Sequence, residues 1–64
     1  MTTKKTLQQR EKELQSLLAT PAGREELREL CSQYHGVSGR LRPAGTSIVT
    51  YILVHEREHG LIST

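Results

Sequence analysis

Residues 47–60, Ser47-Ile48-Val49-Thr50-Tyr51-Ile52-Leu53-Val54-His55-Glu56-Arg57-Glu58-His59-Gly60 (SIVTYILVHEREHG), decide the fold of this 64-residue chain. The first half is β-branched and aromatic. It suits a buried strand as well as a helix, because the periodicity of a short apolar run does not separate the two. The punctuation does. Thr46 or Ser47 offers an N-cap oxygen before the run, and Gly60 offers a stop after it. A strand over residues 47–55 would have only the short GRLR and GLIST segments as partners. Helix is therefore the reading adopted here, with an α+β fold containing a strand at 47–55 as the alternative.

Two more helices lie upstream. Thr6 followed by Gln9 is a capping-box pattern, and Leu7, Leu14, Leu17 and Leu18 then form a loose apolar stripe ending near Ala19. Thr20-Pro21 supplies a cap and a proline at the first helical position, with Glu25 and Glu26 near the positive end of the helix dipole. Leu27, Leu30, Cys31 and Tyr34 follow at the spacing of one buried face, and Gly36 is expected to end this second helix in the left-handed conformation. Three glycines and a proline in GVSGRLRPAG make residues 36–46 an ordered loop, with Val37 and Leu41 tucked onto the core and Arg40 and Arg42 exposed. The expected architecture is one small all-α three-helix domain over residues 1–64, with residues 1–5 a flexible basic tail.

At about 100° per residue, Ile48, Ile52, His55 and His59 share a stripe on the third helix, with Tyr51 at its edge. Val49 and Leu53 lie to one side and Val54 to the other, so the first two turns are apolar nearly all round. Such a helix must be covered on more than one side, and two short partners supply little cover. Self-association is the economical solution, and Val49, Leu53 and Val54 are the expected interface of a homodimer. Leu61, just after Gly60, is expected to fold back onto the helix.

The string HEREH, residues 55–59, resembles the H-E-x-x-H signature of zinc proteases, in which two histidines bind the metal and the glutamate is the general base. Two departures matter. Charged Arg57 and Glu58 stand where those families bury the helix, and nothing in Gly60 to Thr64 can be a third ligand. Glu56, Arg57 and Glu58 are read instead as a solvated helix end. A structural metal site, if any, would draw on Cys31, His35, His55 and His59. No catalytic residue and no cofactor are assigned.

Leu30 to Ser38 resembles the first helix and turn of a helix-turn-helix, with Ser32, Gly36 and Val37 in its small-residue, glycine and apolar slots. That resemblance implies a recognition helix from Ser38, but Gly39, Pro43 and Gly45 interrupt it, and Arg42 stands where the motif has an apolar residue. Charge gives a second hint of nucleic acid. The net +2 divides into +3, −2, +2 and −1 over residues 1–12, 13–35, 36–45 and 46–64. Lys4, Lys5, Arg10, Lys12, Arg40 and Arg42 are thus the candidate contacts for phosphates or a protein partner. One cysteine forms no internal disulfide, which points to a reducing compartment, and no run approaches a membrane span. The expectation is a cytoplasmic, non-enzymatic protein-interaction or adaptor module. The alternatives are a DNA- or RNA-associated accessory regulator and a structural zinc-binding miniprotein.

Overall fold

Three hydroxyl residues start three helices. The Thr6, Thr20 and Ser47 side chains accept from the backbone N–H of Gln9, Gly23 and Thr50, and Gln9 returns a bond to the Thr6 N–H to complete the capping box. The structure, a computed structural model, describes residues 4–63. Its elements are α1 (Leu7–Leu18), α2 (Pro21–Ser38) and α3 (Ile48–Glu58), and each helix packs against the other two. Residues 48–58 are helical, so the strand alternative for 47–55 does not hold. The cap at Ser47 satisfies one of the first turn's donors, the Thr50 N–H, locally, where a strand would have needed a neighbour. GLIST pairs elsewhere. Ser63 donates to the Lys5 carbonyl and accepts from the Leu7 N–H, which ties the chain end to the start of α1.

The core is small. Leu14 from α1, Leu27 from α2, and Val49 and Ile52 from α3 are buried together, with Leu17, Leu18, Leu30, Tyr34, Ile48, Tyr51 and Leu53 packed around them. Full burial of a leucine-sized side chain contributes roughly 1.5–3 kcal/mol, so four such residues leave little margin. Close helix contact adds to them. Only Ala19 and Thr20 separate α1 from α2, and a Cβ on Gly23 would stand 2.1 Å from the Leu17 carbonyl oxygen. A backbone oxygen cannot rotate away, so the first turn of α2 rests on the last turn of α1 only because residue 23 is glycine.

Three local expectations are corrected. Helix α2 does not stop at Gly36. It runs on to Ser38, and Gly39, at φ 72°, takes the left-handed position and donates to the His35 carbonyl. Within the added turn Ser38 Oγ donates to the Tyr34 carbonyl at 2.9 Å and accepts from the Arg40 N–H at 3.2 Å. Val37 and Leu41 are not tucked in but 68% and 79% exposed. Polar bonds pin the loop instead: Tyr51 Oη donates to the Arg40 carbonyl at 3.0 Å, and the Arg42 N–H donates to His35 Nε2 at 3.2 Å.

The end of α3 holds the third correction. The Gly60 and Leu61 N–H groups donate to the Arg57 and Glu56 carbonyls, a Schellman motif, yet Leu61 is exposed and Ile62 is buried in its place. The apolar contact of that motif joins the residue after the glycine to the one five positions earlier. That earlier residue is Glu56, so Leu61 has no apolar partner there. Of the expected basic tail, Met1, Thr2 and Thr3 lie outside the described residues. Lys5 is not free, because its carbonyl holds Ser63 and its ammonium pairs with Glu13.

Two glycine substitutions test this frame by urea denaturation. Gly23→Ala is expected to destabilise the fold by at least about 2 kcal/mol through overpacking. At Gly36 an added Cβ meets nothing within 4 Å, and Gly36→Ala is expected to stabilise by about 0.5–1 kcal/mol. A destabilised Gly36→Ala variant would return the left-handed residue to position 36.

Candidate functional site

Of the three residues expected at a solvated end of α3, Arg57 and Glu58 are exposed and Glu56 is not. Glu56 is 3% exposed, and such a carboxylate needs partners, since burying an unpaired charge costs several kcal/mol. It has three bonds. Arg10 donates through Nε to Oε1 at 2.8 Å and through Nη2 to Oε2 at 2.9 Å, and Tyr34 Oη donates to Oε2 at 2.6 Å. A planar guanidinium fork suits this two-oxygen contact and a lysine would not. Arg10 Nη1 also reaches Glu13 Oε1 at 3.1 Å, and Lys5 pairs with the same carboxylate. One buried carboxylate thereby joins α1, α2 and α3.

Electrostatics follow the geometry. Hydrogen bonding to Glu56 raises the Arg10 guanidinium further above its already high pKa. Burial first, and then the Glu56 carboxylate, push the Tyr34 phenol up to about 12. Lys5 and then Arg10 hold Glu13 below its ordinary carboxylate value. His55 lies between Tyr34 and His59, with ring centroids 3.9 and 4.2 Å apart, and burial lowers its pKa, with nearby His59 adding to the effect against the pull of Glu56 and Glu58. No buried side-chain nitrogen or oxygen among the described residues lacks a partner. A satisfied network of this kind holds helices in register.

The candidate metal residues are divided between two places. Cys31 Sγ lies 3.5 Å from His35 Nε2, while His55 and His59 stack on each other. Among the described residues no group of three or more His, Cys, Asp or Glu is placed to hold a metal ion. His35 Nε2 accepts from the Arg42 N–H at 3.2 Å, which places the ring proton on Nδ1 and commits the Nε2 lone pair within the chain. The helix-turn-helix resemblance ends at the same point, since α2 continues through Gly36 and no helix starts at Ser38.

The six candidate basic contacts also divide. Arg10 is committed to Glu56, Lys5 to Glu13, and the Arg42 guanidinium to the Thr46 carbonyl. Lys4, Lys12 and Arg40 are exposed and form no ion pair among the described residues. Of the expected interface residues, Val49 is covered within the chain at 3% exposure and Leu53 is partly covered, while Val54 is 48% exposed.

What remains open is the outer ridge of α3. An open groove of about 320 Å³ runs along one side, lined by Arg40, Leu41, Pro43, Tyr51, Val54 and Glu58. A smaller one of about 150 Å³ runs along the other, where Leu7, Leu53 and Arg57 meet it. Thr50 and Val54 border both. Comparisons with protein families, curated proteins and solved structures found no match to this chain. No helix of the described residues is long and apolar enough to cross a membrane.

The His55 shift has a pH consequence. With its folded pKa depressed, the unfolded chain takes up a proton near the ordinary value of 6.5 while the folded chain still refuses it. This contribution to stability is complete above that value and is lost as pH falls below it toward the folded pKa. Urea midpoints from pH 7.5 to 5 are expected to fall for the wild type and to fall less for His55→Gln. Parallel curves would exclude His55 as the cause. The Glu13 contribution has the carboxylate sign and disappears only at lower pH, below its ordinary value of 4.5.

Proposed function

We propose that this protein is a small non-enzymatic interaction module that works as a homodimer, docking through the outer ridge of α3. The observation that carries the reading is the half-exposed Val54, set between two grooves with the 79% exposed Leu41 on the wall of the larger one. Val54 has Thr50 one turn before it and Glu58 one turn after it, so its patch is apolar at the centre and polar at the ends. Interfaces share this arrangement of apolar core and polar rim.

The accessory role on nucleic acid has less support. Three of its six basic candidates are engaged within the chain. A phosphate-binding protein of this size would show affinity falling steeply with salt. The zinc reading would need Cys31 and His35 to move to His55 and His59.

Sedimentation equilibrium tests the homodimer. The wild type is expected to show dimer at tens of micromolar, and Val54→Asp is expected to be monomeric with unchanged helical circular dichroism. A wild-type monomer at about 200 micromolar, where even a weak dimer with a Kd of 100 micromolar would be largely formed, would overturn the proposal.

A further inference from the structure

We infer that the second copy packs antiparallel along α3, with Arg40 of each chain facing Glu58 of the other across the two-fold axis. The inference rests on the homodimer reading above and fixes its register. A two-fold interface brings one surface patch against itself, so its charges must complement their own images. The larger groove carries one charge of each sign: Arg40 on the loop wall and Glu58 at the end of α3. Both side chains are exposed, and neither forms an ion pair among the described residues.

Position along the helix selects the direction. Tyr51 Oη holds the Arg40 carbonyl at 3.0 Å, which ties Arg40 to the first half of α3. Glu58 is the last residue of the helix. Val54 lies midway, four residues from Glu58 and four from Thr50. In a parallel pair each residue meets its own image, so Arg40 would face Arg40 and Glu58 would face Glu58. In an antiparallel pair centred on Val54, Glu58 comes opposite Thr50, beside Tyr51 and the Arg40 that Tyr51 holds. Like charges repel in the first arrangement and opposite charges meet twice in the second. The dipoles of two α3 helices side by side also favour opposed directions.

The ridge suits this direction. Thr50 and Val54 border both grooves, so the ridge of one copy can lie in a groove of its partner as in ordinary helix packing. Leu41, on the wall of the larger groove, then lies over the partner's ridge and loses its exposure.

Charge reversal tests the register on the full chain, with dimer affinity read by sedimentation. R40E and E58R are each expected to weaken the dimer by about tenfold, because each sets two pairs of like charge face to face. The double variant R40E/E58R rebuilds both pairs with reversed sign and is expected to return to within about threefold of wild type. Circular dichroism of all three should match wild type, since both positions are exposed, and urea midpoints should match at protein concentrations low enough that every variant is monomeric. If the single variants dimerise like wild type, or the double variant is as weak as the two singles combined, the antiparallel register is overturned. A dimer that is still abolished by Val54→Asp would leave the homodimer reading intact. A monomeric wild type would overturn both.

Discussion

The fork between Arg10 and Glu56 is the constraint on which the rest of this structure depends. A core of four buried apolar residues cannot by itself specify how three short helices meet. The carboxylate of Glu56 can, because it is buried and must be met. It takes two bonds from Arg10 on α1 and one from Tyr34 on α2. Slipping any helix by one turn would leave a buried charge unpaired, at a cost of roughly 3–5 kcal/mol. The fork then organises its surroundings. Tyr34 stacks on His55 and His55 on His59, Arg10 and Lys5 share the Glu13 carboxylate, and the Lys5 carbonyl accepts from the Ser63 N–H.

Much of the architecture was legible because it is local. Thr6, Thr20-Pro21 and Ser47 mark their helix starts within four residues of sequence, and Gly60 marks an end. The apolar face of Leu27, Leu30, Cys31 and Tyr34 needs only the helical repeat to be seen. What was not legible depends on residues far apart in the chain. Arg10 and Glu56 are 46 positions apart, and helical spacing gives no sign that one arginine among six candidate bases turns inward. HEREH looked like a solvated end because its charges are dense, yet Glu56 sits on the face turned to α1 and α2 while Arg57 and Glu58 face out. Gly36 and Gly39 are equally good terminators on paper. The helix passes the first and stops at the second, where the Ser38 side chain bridges the Tyr34 carbonyl and the Arg40 N–H. Gly23 carried no signal at all, since its role is the approach of Leu17 from another helix.

The candidate site changed in the same way. An apolar surplus round α3 was expected from the run Ile48 to Val54, and the fold covers most of it, including Val49. What is left is narrower: Val54, its flanking grooves and a loop that polar bonds hold with Leu41 turned outward. That loop is positioned by His35 and Tyr51, which meet edge to face, so the contact between α2 and α3 also shapes the proposed docking face. Core and surface are coupled through two hydrogen bonds to loop backbone. The loop residues themselves contribute little to the stability of the core, because Arg40 and Leu41 bury so little against it.

The most direct test of this account is a double-mutant cycle on the fork, with Arg10→Met, Glu56→Leu and the double variant compared by urea unfolding at pH 7. Removing one partner strands a charge that the fold has buried, whereas removing both replaces an ion pair by apolar groups. The account predicts that the single variants lose about 3 kcal/mol each and that the double variant loses at least about 2 kcal/mol less than their sum. Losses that add to within about 0.5 kcal/mol would contradict it, and would mean that the two side chains stabilise the fold independently and not as a pair.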